Sequence, residues 1–382
     1  MEIHLKAPQG DFELLRWPKR SDELLRAWDA ADEYLLDHLV EELAKKSEFK
    51  TDIKILILND SFGALSVALN KYHPQSYTDS YISQQSTRHN LTANNLDENT
   101  VNFINSLEKP QGVFDYVVIK IPKTFALLED QLSRIQDNFD QDTKVIAAGM
   151  VKNLPKNVWK LLERYVGATT TSLAKKKARL IFVTPDPERV VTPCPYPVYY
   201  QLENTDYQIC NHANVFSRDS LDIGTRFLLK NLPEIPAAKM IVDLGCGNGV
   251  VGLMLSESHP DATIHFVDES FMAVASAKET FLTVSNGTHS AEFHVDDGLA
   301  NFVENSIDLI VCNPPFHQHH SVGDQIAVGM FKQSRKALKE NGEIWVIGNR
   351  HLNYNNNLKK IFGNSAIVAS NSKFVICKAV AS

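Results

Sequence analysis

The sequence predicts an α/β fold laid down twice in tandem, an intact second copy following a degenerate first one. Apolar runs of buried-strand type alternate with helical patterns, which is the arrangement of a mostly parallel sheet. The plan then repeats. Residues 57–63 lie opposite 243–249 at an offset of 186, residues 114–119 opposite 307–312 at 193, and residues 180–183 opposite 375–378 at 195. The copies differ where loops carry chemistry. Gly245, Gly247 and Gly249 have only Gly63 as a counterpart, and Asn313-Pro-Pro-Phe316 faces Lys120-Ile-Pro-Lys123. The first copy is therefore expected to keep a fold and lack a site.

Length and charge narrow the class. A chain of 382 residues with 43 % hydrophobic composition has core enough for two domains, and a net charge of −7 excludes a uniformly basic nucleic-acid coat. The first residues lack the basic and apolar pattern of a secretory signal, and no apolar run approaches the roughly 20 residues of a membrane span. A soluble protein of the cytoplasm, making no membrane contact, is expected. Cys194, Cys210, Cys246, Cys312 and Cys377 are scattered without a C-x-x-C pair, so reduced thiols are expected.

In chain order, an irregular start leads to a helix from Ser21 to Lys46, with Leu24, Leu25, Trp28, Leu35, Leu36 and Leu39 at helical spacing. A strand over residues 52–58 turns through Gly63 into an apolar helix, 64–69. Further strands are predicted near Tyr77 and over 114–119, 144–148 and 178–183. Residues 151–185 hold eight basic residues and one acid. Lys152, Lys156, Lys160 and Arg164 recur every fourth residue, the spacing of one helix face, and Lys175, Lys176, Lys177 and Arg179 follow. Such a stripe suits a phosphate backbone; an ordinary solvated face is the alternative. Prolines 185, 187, 193, 195 and 197 then punctuate a linker. The division expected is 1–185, a linker and possible hairpin arm over 186–214, and 215–382.

The second copy opens with a strand, a glycine-rich turn and a helix over residues 240–255. Asp243 at the strand end, with Gly245, Gly247 and Gly249 after it, makes a turn that passes close to a compact ligand, although Gly247-Asn-Gly-Val-Val-Gly252 also satisfies the dinucleotide pattern. Asp268 ends the strand 263–267 and can accept from two ribose hydroxyls; a helix-capping role is the alternative. Asp296 or Asp297, after the next strand, can accept from an adenine amino group, Asp297 being favoured. Strand 307–311 runs into Asn313-Pro314-Pro315-Phe316. There an amide oxygen and the Pro314 carbonyl can each accept a hydrogen of a planar amine while Phe316 stacks on the base. A strand at 342–347 and a hairpin of 366–370 with 373–379 complete the sheet. His317, His319 and His320 lack a paired carboxylate, so no metal is expected.

Residues 242–249, Val267-Asp268 and Asn313-Pro-Pro-Phe-His317, in this order, resemble the class I S-adenosylmethionine-dependent amino-group methyltransferases. Phe216-Ser-Arg-Asp219 and Asp222-Ile-Gly-Thr225, with the degenerate first copy, narrow the resemblance to bacterial ribosomal RNA guanine-N2 methyltransferases. The resemblance implies two Rossmann-like, seven-stranded domains, S-adenosyl-L-methionine as cofactor with Phe216 and Thr225 helping to close its pocket, and RNA bound through the first copy. It also implies methylation of the exocyclic N2 of a guanine in 23S ribosomal RNA. Guanine N2 in 16S RNA, adenine N6 and protein glutamine are alternative targets. A NAD-dependent oxidoreductase or a non-catalytic RNA-binding assembly factor is the rival class.

Overall fold

Two seven-stranded sheets with the same strand order form the frame, one in each of two compact units, Met1–Pro195 and Tyr196–Ser382. The computed structural model describes residues 2–19, 23–315 and 320–382, the side chains of 320–324 excepted. Across the first sheet the strands run Asn102–Asn105, Gln75–Thr78, Ile55–Leu58, Tyr116–Lys120, Lys144–Met150, Ala178–Val183 and Thr169–Thr171. Across the second they run Ser290–Val295, Thr263–Asp268, Met240–Leu244, Ile307–Cys312, Leu338–Asn349, Phe374–Val380 and Ala366–Ser370. In each, five parallel strands meet an antiparallel sixth position that is filled by the last strand in sequence. The order reverses beside the strand that comes first in sequence in each seven-stranded sheet, and in the second sheet Leu244 there pairs with Cys312. The chain segments leaving those two residues therefore face each other in the crevice where open α/β sheets bind ligands.

Each sheet is buried on both faces, which is why its central strands read as continuous apolar runs. In the second unit Ile241, Ile264, Phe266 and Leu309 face one core, and Val242, Leu244, Val267 and Ile310 face the other. The helix expected from Ser21 starts later, at Ala30, and runs to Ser47. Its start is set by a capping box: the Asp29 carboxylate accepts from the Ala31 and Asp32 N–H groups, and Asp32 accepts in return from the Asp29 N–H. Leu24 and Leu25, assigned to the helix by periodicity, precede that cap and are exposed.

The basic stripe is also rearranged. Lys160 and Arg164 lie on the helix Asn157–Tyr165, whereas Lys152 sits in a 3-10 turn, Val151–Asn153, and Lys156 only caps the helix. Pro155 between them prevents one continuous helix. An N-terminal hairpin, His4–Ala7 with Gly10–Glu13, and the short strands Asn102–Asn105 and Thr169–Thr171 escaped sequence reasoning because each is only three or four residues long.

Packing explains one glycine of the second copy. A Cβ at Gly252 would stand 2.3 Å from Cε1 of Phe266, a ring stacked on Phe293 at 5.0 Å and met edge-on by Phe281 at 5.3 Å. The ring has no room to retreat. Gly252→Ala is expected to destabilise the protein by about 1–3 kcal/mol in spite of the roughly 1 kcal/mol that alanine gains in a helix. Chemical denaturation measures this, and a stabilised variant would show that the aromatic cluster yields.

Candidate active site at the strand ends of the second unit

The glycine turn is held open by its carboxylates. Asp243 is 2 % exposed, and its Oδ2 accepts from the Gly252 N–H at 2.8 Å, anchoring the first turn of the helix Val250–Ser258. Gly249 caps that helix in the left-handed conformation, φ +79°, where a Cβ would also collide with the Ala277 backbone at 2.8 Å. Asp268 ends its strand with Oδ2 accepting from the Gly247 N–H at 3.1 Å and Oδ1 from the Ser270 N–H at 3.0 Å. A Cβ at Gly247 would meet nothing within 4 Å, and one at Gly245 would meet the Asn313 carbonyl at 3.5 Å. Gly247 thus borders open space while Gly245 borders the next strand end.

Asn313 leaves the strand Ile307–Cys312 half-buried, and its amide is oriented by a helix earlier in the chain. Its Nδ2 donates to Thr225 Oγ1 at 3.3 Å. Asp222 caps the helix Ile223–Leu229, accepting from the Thr225 N–H at 2.9 Å, and its Oδ2 lies 3.4 Å from the Thr225 hydroxyl. The other half of the amide is left over. Asn313 Oδ1 is buried without a hydrogen-bond partner among the described residues, a condition that costs about 1–3 kcal/mol unless a ligand relieves it.

The remaining predicted residues fall around this centre. Pro314 is buried beside Asn313. Asp296, buried, accepts from both the Asn301 amide and the Asp297 N–H. Asp297 is half-buried, and its carbonyl accepts from Gln333. Phe216 is half-exposed. Cys246 and Cys312 are buried free thiols that burial pushes well above the ordinary thiol range, as suits packing residues. Phe316, His317 and His319, and the side chain of His320, lie outside the described residues.

Sequence reasoning missed the tie between the arm and the glycine turn. Strands Val198–Gln201 and Gln208–Asn211 form a hairpin, and Asn248 Nδ2 donates to Asn211 Oδ1 at 2.9 Å and to the Tyr200 hydroxyl at 3.2 Å. Only tertiary folding joins residues so far apart. The Asp222-x-x-Thr225 spacing, by contrast, is a capping signal visible in the sequence.

The first unit fills the equivalent positions with charge. Lys120 corresponds to Asn313 at the offset of 193 that aligns their strands, and Asp29 and Asp32 open the helix before the first sheet strand as Asp222 and Thr225 do in the second unit. Lys120 Nζ lies 2.6 Å from Asp32 and 2.8 Å from Asp29. Burial opposes its charge, yet the two carboxylates hold the ammonium above its ordinary range. Among the basic residues singled out, Lys175 is paired with Asp37 and Lys176 with Glu33. Lys152, Lys156 and Lys177 are exposed, with no acidic partner within ion-pair distance among the described residues, and Arg179 is half-buried.

Comparison with known proteins places these features in context. Residues 2–187 match the family model described as the RLMG N-terminal domain, and residues 206–378 that described as the Methyltransferase small domain. The chain is 45 % identical over all of its length, and all of the relative's, to a Ribosomal RNA large subunit methyltransferase G of Streptomyces avermitilis. It is 47 % identical, over 97 % of the chain and 98 % of the relative, to one of Pseudomonas paraeruginosa. Among solved structures, a T. thermophilus 16S rRNA N2 methyltransferase in complex with AdoMet and guanosine superposes over 99 % of this chain and 97 % of its own, with a TM-score of 0.75 at 20 % identity. That likeness establishes the two-domain fold.

The buried Asp243 gives the site a pH signature. Burial raises its carboxyl to about 7, the Gly252 N–H opposing and the Asp268 charge assisting the rise. A folded-state value above the unfolded 3.8 means that the proton is held more tightly in the folded protein, so this contribution to stability is full below 3.8 and lost as pH rises through about 7. Asp243→Asn, whose amide oxygen can still accept from Gly252, is expected to flatten the fall in stability across that interval. Denaturation profiles with equal slopes for the two proteins would refute the assignment.

Proposed function

The chain belongs to the ribosomal RNA large subunit methyltransferase G family, and from that premise we propose that it methylates the exocyclic N2 of a guanine in 23S ribosomal RNA, in the cytoplasm, with S-adenosyl-L-methionine as donor. One observation carries the reading: the buried Oδ1 of Asn313 at the strand ends, which has no hydrogen-bond partner among the described residues. It is an acceptor beside a glycine turn with open space at Gly247.

The residues present fit such a donor. Asp268, which accepts from two backbone N–H groups at the border of the glycine turn, is proposed to accept from the ribose hydroxyls. Gly245 and Gly247 keep the turn free of side chains, and Asp297 is proposed to accept from an adenine amine. Asp243 and Asp296 serve this site indirectly, since their carboxylates are engaged by the protein itself. When bound, S-adenosylmethionine supplies an electrophilic methyl group.

The chain's own residues then act on the nucleobase. Thr225 accepts from the Asn313 Nδ2, which holds the amide in one orientation and reserves Oδ1 for the incoming amine. Thr225 is therefore a positioning residue as well as a candidate for the pocket wall. An exocyclic amine is a weak nucleophile because its lone pair is delocalised into the ring. Hydrogen bonds from its N–H groups to Asn313 Oδ1 and the Pro314 carbonyl favour the tetrahedral nitrogen, whose lone pair is free to attack. Phe316 is proposed to stack on the base. Catalysis of this kind rests on orientation and preorganised dipoles, with no covalent enzyme intermediate. A NAD-dependent oxidoreductase would leave the Asn313 acceptor without a role.

Methyl incorporation from labelled donor into separate RNA, DNA and protein pools is expected only in RNA, as N2-methylguanine. Asn313→Ala is expected to lose about 10²–10³ in turnover with donor affinity unchanged. Thr225→Val should lower turnover at little cost in affinity, and Thr225→Ser, which keeps the hydroxyl, should restore it. Asp268→Ala should instead weaken donor binding about tenfold or more. Wild-type turnover in Asn313→Ala would defeat the mechanism.

For the first unit we infer RNA binding through Lys152, Lys156 and Lys177, which have no acidic partner among the described residues. Glutamate at 152, 156 and 177 together is expected to reduce the salt dependence of RNA binding, while glutamine at the ion-paired Lys175 and Lys176 should change it less. Equal slopes in filter-binding titrations would place the RNA contact elsewhere.

A further inference from the structure

Thr263–Asp268 and the edge strand Ser290–Val295 run parallel, pairing His265 with Glu292 and Val267 with His294. Alternate residues of a strand share a face, so His265, Glu292 and His294 project from the same side of the sheet. His265 Nδ1 and His294 Nε2 stand 3.0 Å apart. Glu292 Oε2 is 3.6 Å from each of these nitrogens. Phe302 closes one side, edge-on to His265 at 5.8 Å and to His294 at 5.1 Å.

A hydrogen bond between the imidazoles accounts for two of these three groups. One ring donates, the other accepts, and the nitrogens face each other. The carboxylate stands at ion-pair distance from both nitrogens, too far for a hydrogen bond, and its equal distance from the two directs its charge at the midpoint of the pair. Three ligand atoms around one tetrahedral ion, with bonds of roughly 2.0–2.2 Å, are separated by about 3.3–3.5 Å. The observed 3.0, 3.6 and 3.6 Å bracket that value. Replacing the shared proton by an ion requires the nitrogens to part by a few tenths of an ångström and the rings to tilt.

We propose that His265, Glu292 and His294 form a binding site for one divalent transition-metal ion of the zinc type. Two imidazoles and a carboxylate are the donor set such ions prefer over magnesium or calcium. The His265 side chain is 9 % exposed and that of Glu292 59 %, so the inner side of the site is walled and the outer side is open for a water ligand. The ion clasps the edge strand to its neighbour. Directly beyond the clasp the Asp296 N–H donates to the Asp268 carbonyl at 3.0 Å, so the same two strands carry the acidic residues of the candidate active site. No spacing motif announces the site, since its histidines lie on different strands.

The test uses the full-length protein, stripped with a chelator and titrated with zinc against a chromophoric competitor. One zinc per chain is expected, with a rise in thermal midpoint. Glu292→Gln and His294→Gln alter accessible side chains, and each is expected to lower zinc affinity at least tenfold and abolish the thermal shift. Cobalt substitution adds a spectroscopic reading: ligation by nitrogen and oxygen gives visible bands without a thiolate charge-transfer band. The cluster Cys210, His212 and Glu279 is the competing location. A thiolate band, or zinc binding lost in Cys210→Ser and kept in the two site variants, overturns the proposal. So does an absence of stoichiometric binding.

Discussion

The hydrogen bond from Asn313 Nδ2 to Thr225 Oγ1 is the contact on which the candidate active site depends. An amide presents an acceptor and a donor in different directions within one plane, so engaging the donor decides where the acceptor points. The helix cap at Asp222 holds Thr225, Thr225 holds the amide, and the acceptor is buried without a partner among the described residues. A buried acceptor left in that state costs stability, which is why it marks a candidate ligand contact.

The first unit shows the alternative outcome on the same frame. Lys120 occupies the position of Asn313 and places its ammonium between Asp29 and Asp32, so the donors and acceptors at the strand ends satisfy one another. The neighbouring turn is likewise self-contained. The buried Asp60 accepts from the Ser66 N–H at 2.7 Å, as Asp243 accepts from the corresponding Gly252. Both turns thus need a buried carboxylate to anchor a helix start, but the first supplies it from within the loop and the second from the strand end. Moving the acid to the strand frees the loop to be glycine-rich and open.

Much of this was legible in the residues alone. The duplication, the silent first copy and the turn carrying Gly245, Gly247 and Gly249 follow from patterns of period and spacing, which act over a few residues and survive in one dimension. Periodicity misled at Leu24 and Leu25, because a capping box at Asp29 outweighs hydrophobic spacing in setting where a helix begins. It misled again across Pro155, where missing backbone hydrogen bonding outweighs the regular recurrence of lysines.

The sequence by itself determined the fold, the cofactor-type turn and the identity of the asparagine loop, since each is encoded in contiguous residues with local conformational preferences. Only the tertiary structure decided which atoms are spent and which are free. It paired Lys175 and Lys176 with the acids of a distant helix, tied Asn248 to the hairpin arm, brought His265 and His294 together, and left Asn313 Oδ1 without a partner among the described residues. The physical reason is that satisfaction of a polar group depends on what the folded chain brings within about 3 Å of it, and sequence separation carries almost no information about that distance.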